Sequence, residues 1–140
     1  MRKIFVTGIG TDVGKTVVSA ILTEALEADY WKPVQAGDLD NSDSIKVEKL
    51  ISNSKSKMHS EGIRLQNPMS PHAAAERDDV QIDLGDFTVP ETSNYLVIEG
   101  AGGLMVPLNR KDCVIDLIDQ VGADVVLVSR NYLGSINHTL

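Results

Sequence analysis

The 140-residue chain carries thirteen Lys and Arg against twenty Asp and Glu, a formal net charge of −7. That balance argues against a general nucleic-acid surface, because affinity for a phosphate backbone is driven by clustered cations. A composition of 42% hydrophobic and 24% charged residues points to neither disorder nor a membrane class, and the length suits one domain with a core of its own. Cys113 is the only cysteine, so no intramolecular disulfide can form and a reducing interior suits the chain. The opening residues run straight into an apolar strand, and no apolar run approaches the roughly eighteen residues that span a bilayer. The expected compartment is the cytoplasm, with neither nucleic acid nor membrane as partner.

Residues 3–16 read KIFVTGIGTDVGKT. Ile4, Phe5 and Val6 predict a buried strand, Gly8 and Gly10 a turn, and residues 16–26 an amphipathic helix whose apolar positions are Val17, Ala20, Ile21, Ala25 and the neighbouring Leu22 and Leu26. Strand, glycine loop and helix in that order make a phosphate cradle, where free backbone N–H groups meet the positive end of the helix dipole and Lys15 adds a full charge. The usual phosphate-loop pattern G-x-x-x-x-G-K-T would place a glycine at Ile9. Here the glycines flank that position at Gly8 and Gly10, a longer variant.

Farther along, a brief strand is expected over residues 29–34, ending at or just after Lys32 because of Pro33. Residues 35–41 read as loop. Ser42 offers an N-cap for a helix with Ile45, Val47, Leu50 and Ile51 as apolar positions. Residues 52–60 are polar and read as an exposed connection, residues 62–65 as strand-like, and residues 72–77 as a compact helix with Pro71 near its first turn. Residues 78–94 do not decide between helix and loop. Residues 95–99 (YLVIE) form a buried strand followed at once by Gly100, Ala101, Gly102 and Gly103. Residues 114–121 form a helix with Ile115, Leu117 and Ile118 inward and Gly122 as its stop, and Cys113 packs near its start. Residues 124–129 give a third near-continuous apolar strand. Buried strands alternating with helices imply α/β architecture with a parallel sheet flanked by helices. At most four strands can be counted, and residues 132–140 resemble a loop feeding a helix without a body, so a C-terminal portion of the single domain is expected to be missing.

In open parallel sheets ligands gather at the carboxyl ends of the strands. There the strands deliver the glycine loop, Lys32, and Glu99 with its glycines. A magnesium nucleotide needs hard oxygen ligands: Thr16 supplies a hydroxyl, and Glu99 reads as a direct ligand, as an acid acting through the ion's waters, or as a solvated strand-end acid. Asp12, inside the loop, hints at an amine-bearing ligand or serves as a turn-stabilising Asp. Asp43 is readable as a first-turn acid favoured by the helix dipole, and Lys32 as a second phosphate-facing cation or a solvated lysine. His59, His72 and His138 show no metal-ligand spacing. The backbone N–H groups around Ser135, Ile136 and Asn137 would suit a carboxylate.

These pieces resemble the dethiobiotin synthetase family: VTGIGTDVGKT (6–16), WKPVQAG (31–37), NSDS (41–44), SPHAAAE (70–76), VIEGAGGLMVPL (97–108) and LGSINHTL (133–140). They run in family order over essentially the whole chain, and the longer phosphate-loop spacing is itself a family trait. The resemblance implies a three-layer P-loop NTPase-like α/β/α fold and an ATP- and magnesium-dependent cyclo-ligase that closes the ureido ring of dethiobiotin from 7,8-diaminopelargonate and carbon dioxide. It implies magnesium on Thr16, Asp43 and Glu99, and ATP along Gly10, Thr11, Asp12, Val13, Gly14, Lys15 and Thr16 with Glu99, Gly100, Gly102 and Gly103 nearby. Lys15, Lys32 and Thr11 would be catalytic. Asp12 and Lys32 would contact the diamine, and Gly134, Ser135 and Asn137 of the other protomer of a homodimer would hold its carboxylate tail. Two departures stand out: a serine common after the Lys-Pro-Val segment is Ala36 here, and the adenine-binding segment has no counterpart before Leu140. Competing readings are a partitioning-type ATPase switch, which would carry a lysine where Gly10 stands, a corrin amide ligase, and a binding-only fragment.

Overall fold

The computed structural model describes residues 2–140. Strand β1 (Lys3–Gly8) leads through the glycine loop into helix α1 (Lys15–Leu26), followed by β2 (Asp29–Trp31), β3 (Val34–Ala36), α2 (Asp43–Leu50), β4 (Ile63–Leu65) and α3 (Pro71–Arg77). Then come β5 (Leu96–Gly103), α4 (Val114–Val121), β6 (Asp124–Val128) and α5 (Ser135–Thr139). Four of the six strands form one parallel sheet in the order β2-β5-β1-β6, and β3 pairs with β4, also parallel, in a second small sheet.

Side chains alternate across a strand, so each strand feeds two cores. Phe5, Trp31, Leu96 and Ile98 point to one face, where they pack with Ala74 and Ala75 of α3 and Val114, Leu117, Ile118 and Val121 of α4. Val6, Tyr30, Val97 and Val128 point to the other, against Ala20 of α1 and Val47 of α2. Helices on both faces of a parallel sheet make the expected three layers.

Several local expectations give way to tertiary packing. The face of α1 that meets the sheet is made of small residues: Ser19, Ala20 and Thr23 are buried, whereas Val17 and Ile21 are 55% and 59% exposed. Small side chains let the helix lie close to the strands, and apolar periodicity alone points to the wrong stripe. Pro33 does not simply end a strand. The chain leaves the main sheet after Trp31 and re-pairs as β3, the carbonyls of Lys32 and Pro33 accepting from the N–H groups of Gly62 and Ile63. This second sheet takes in the strand-like residues 63–65 and pairs them with residues 34–36, two of which read as loop. β6 lies at the edge of the sheet, and Val125 and Leu127 are exposed rather than buried on both faces. Ile115, expected inward, is also exposed, and Val114 and Val121 take its place in the core. β5 continues past Glu99 through the glycines to Gly103.

The polar stretch after α2 is anchored by one carboxylate. Glu24 on α1 accepts hydrogen bonds from the backbone N–H groups of Ser52 and Asn53, from Ser52 Oγ at 2.7 Å and from Asn53 Nδ2 at 2.8 Å. These donors lower its pKa to about 2, from an ordinary 4.5. Because the folded value is depressed, the contribution is present above pH 4.5 and is lost as pH falls through about 2. Glu24→Gln should therefore speed proteolytic nicking within residues 52–57 at neutral pH. The difference from the parent chain should shrink in acid; equal nicking rates at pH 7 would contradict the anchoring role.

Candidate active site

Neighbouring strands in the order β2-β5-β1 deliver their carboxyl ends side by side. The glycine loop leaves β1 and turns at Asp12 and Gly14, with φ of 57° and 106°, left-handed values that glycine adopts freely and aspartate tolerates. Lys15, buried in the first turn of α1, donates from Nζ to the Gly10 carbonyl at 2.6 Å. Burial, and then the positive charge of Lys32, lower its pKa, a repulsion that an incoming polyanion would relieve. The glycines at the end of β5 permit close approach: a Cβ on Gly103 would stand 2.9 Å from the Gly8 carbonyl oxygen.

At the centre sits the Lys32 ammonium. It lies 2.6 Å from Asp43 Oδ2 and 3.2 Å from Glu99 Oε1, and donates to the Gly100 carbonyl at 3.2 Å. Burial opposes its charge, but Glu99 and Asp43 outweigh that penalty and hold its pKa above the ordinary lysine value. Asp43 shows the converse: burial pushes upward, while Lys32 and then Lys46 bring its pKa below the usual carboxylate value. Glu99 is 1% exposed and fully engaged. Its Oε1 also accepts from Thr16 Oγ1 at 2.9 Å, and its Oε2 accepts from the Tyr30 hydroxyl at 2.9 Å. Burial, followed by the Glu99 charge, raises the Tyr30 pKa well above ordinary and keeps the phenol protonated.

These groups open on a cleft of about 660 Å³. Thr11, Asp12, Gly14, Lys15, Thr16, Lys32, Asp43, Glu99 and Gly102 line it, together with Ala36. Gly10 and Gly100 contribute the carbonyls that receive the two lysines. Val13 packs behind the loop in the α1-side core, and Gly103 sits against Gly8. Gly134, Ser135 and Asn137 do not line the cleft of their own chain. α5 starts at Ser135 with Gly134 preceding it in a left-handed conformation, φ 100°. None of the three histidines lines the cleft. His59 lies 2.9 Å from Asp29 at the opposite end of β2, His72 is 3.1 Å from Ser70 Oγ, and His138 meets the Tyr132 hydroxyl.

Two supporting residues escaped the sequence reading. Ser42 precedes α2 as expected but makes no side-chain cap. Buried Gln35 does that work: its Oε1 accepts from the Asp43 N–H at 3.1 Å, and its Nε2 donates to the Gly37 carbonyl at 2.9 Å. Tyr30 is the other, hidden in an aromatic pair that reads as plain core. Both are polar groups whose partners lie on distant elements, which no local spacing reveals.

A divalent ion beside phosphates takes hard oxygens and keeps waters. Thr16, Asp43 and Glu99 line the same cleft and offer one hydroxyl and two carboxylates, a donor set whose chemistry fits magnesium. Among the described residues no group of three His, Cys, Asp or Glu side chains that could hold a metal comes together; an ion on one hydroxyl and two carboxylates would take phosphate oxygens and water as its other ligands.

Comparison with known proteins bears on the same residues. A sequence model described as an AAA domain matches residues 2–140. The ATP-dependent dethiobiotin synthetase BioD of Christiangramia forsetii is 62% identical over 139 residues, covering 99% of this chain and 67% of that protein. The protein of the same name from Cytophaga hutchinsonii is 56% identical over 141 residues, covering 100% of this chain and 68% of its own length. The biotin biosynthesis bifunctional protein BioCD of Bordetella avium is 50% identical over 140 residues, which make up 30% of that protein. With the phosphate loop, the buried lysine and two carboxylates in one cleft, and this identity across its length, the chain belongs to the ATP-dependent dethiobiotin synthetase family.

Proposed function

We propose that this chain carries out the ATP-dependent carboxylation and ring closure of 7,8-diaminopelargonate to dethiobiotin, a ligase step of biotin biosynthesis. The observation that carries this reading is the pairing of two buried ammonium groups, Lys15 and Lys32, in one cleft with the loop carboxylate of Asp12. A triphosphate needs the first, a carbamate the second, and a diamine the third.

In this reading one substrate amine adds to carbon dioxide, forming a carbamate and releasing a proton. The carbamate oxygen attacks the γ-phosphorus and displaces ADP, giving a carbamic-phosphoric anhydride. The second amine then attacks the carbamoyl carbon, expels phosphate and closes the ureido ring. The protein's part is positioning and charge neutralisation. Backbone N–H groups of Gly14, Lys15 and Thr16, with the Lys15 ammonium, cradle the phosphates, and Lys32 and Thr11 face the carbamate. Asp12 attracts the diamine. Magnesium on Thr16, Asp43 and Glu99 would neutralise phosphate charge. We further propose a homodimer in which the Gly134, Ser135 and Asn137 segment of one protomer receives the substrate carboxylate bound in its partner.

Phosphate release should require diaminopelargonate and bicarbonate together; steady ATP hydrolysis with neither present would sink the reading in favour of a nucleotide switch. Lys15→Ala should lower turnover by about a hundred-fold or more while the thermal melt stays put. Lys32→Ala should abolish turnover and also cost about 3 kcal/mol of stability, because Asp43 and Glu99 are left buried and uncompensated. The Asp43 pKa is depressed in the folded chain, so its contribution is present above the ordinary 3.8 and disappears as pH falls through the lower folded value. The stability gap between parent and variant, followed by denaturant melts, should be widest at neutral pH and close in strong acid. Light scattering should give a dimer at assay concentrations; a fully active monomer would refute the shared site.

A further inference from the structure

Glu99 is held by three donors, two of which have other employment. Thr16 must turn an oxygen lone pair outward to serve an ion, and Lys32 divides its protons among Asp43, Glu99 and the Gly100 carbonyl. The Tyr30 hydroxyl has no such choice. It is fully buried, and its one hydrogen-bond partner is Glu99 Oε2. The ring is clamped in the α1-side core among Val6, Ala20, Val47 and Val97.

Register makes the contact possible. Tyr30 pairs with Val97 and Trp31 with Ile98, so Tyr30 is level with the residue two before Glu99 and, by alternation, on the same face of the sheet as Glu99. A phenol is long enough to bridge that diagonal. With Oε2 tied to a rigid ring behind the site, Oε1 is left on the cleft side, where Thr16 and Lys32 meet it.

We propose that Tyr30 is a positioning residue that fixes the Glu99 carboxylate so that Oε1 faces the ion-binding point. The inference rests on the assignment of Glu99 as a metal ligand under the proposed function. Partners of this kind around ligating carboxylates commonly govern metal affinity by ten- to a hundred-fold, on the order of what is expected here.

The test is Mn²⁺ binding, followed by electron paramagnetic resonance in the presence of a non-hydrolysable ATP analogue, for the parent chain, Tyr30→Phe, Glu99→Gln and the double variant. Tyr30→Phe removes one oxygen and keeps the packing ring. It should weaken Mn²⁺ by about ten-fold, raise the magnesium concentration needed for half-maximal rate by a similar factor, and leave kcat at saturating magnesium within about two-fold. In the Glu99→Gln background the same change should add nothing, because the phenol acts through that carboxylate. Parent-like or tighter Mn²⁺ binding by Tyr30→Phe, with Glu99→Gln impaired, overturns this inference and leaves the metal assignment standing. An equal loss in both backgrounds marks a general structural effect and overturns it as well. Parent-like binding by Glu99→Gln brings down the metal assignment and this inference with it.

Discussion

The ammonium of Lys32 is the point on which the cleft depends. It is buried together with two carboxylates, Asp43 and Glu99, which arrive from the start of α2 and the middle of β5. Burying three charges costs desolvation energy that a well-packed apolar cluster would not, so the arrangement is weak as a source of stability and strong as a specification of geometry. The Lys32 ammonium also donates to the Gly100 carbonyl, and Thr16, Tyr30 and Lys46 reach the two carboxylates. Such a cluster tolerates few arrangements, and it fixes the start of α2 against the end of β2 although about ten residues of loop and short strand separate them.

That connection is itself built for rigidity. Pro33 turns the chain out of the main sheet without leaving it unsupported, because β3 pairs with β4 and the carbonyls at the turn find donors in Gly62 and Ile63. Gln35 then spans from the Gly37 carbonyl to the first N–H of α2. The helix that carries Asp43 is thus capped by the same segment that carries Lys32. Ion pair and cap hold one another's geometry.

What could be read in advance follows from how local each signal is. Gly14, Lys15 and Thr16 announce themselves because strand, loop and helix are contiguous, and Glu99 because an acid ends an apolar run just before glycines. Lys32 was legible as a strand-end cation but not as a buried one, since its partners lie at positions 43 and 99. The second sheet is half visible: residues 62–65 read as strand-like, but Gln35 and Ala36 of their partner strand fall in a stretch that reads as loop. The buried face of α1 was misread because apolar periodicity rewards Val17 and Ile21, while close packing on a sheet rewards Ser19, Ala20 and Thr23.

Parity along the strands ties these points together. In a parallel sheet, residues level with one another share a face, so the pairs Trp31 with Ile98 and Phe5 with Ile98 commit one face to the α3 and α4 core. One step on, Val6 pairs with Glu99, which turns Glu99 toward α1, where Thr16 waits. Tyr30, one step back from Trp31, is turned the same way. A slip of one residue between β2 and β5 would bury Trp31 among the wrong partners and turn Tyr30 to the face away from Glu99. The apolar core, which has no chemistry of its own, therefore sets the register that brings phenol, carboxylate and hydroxyl to one side of the sheet.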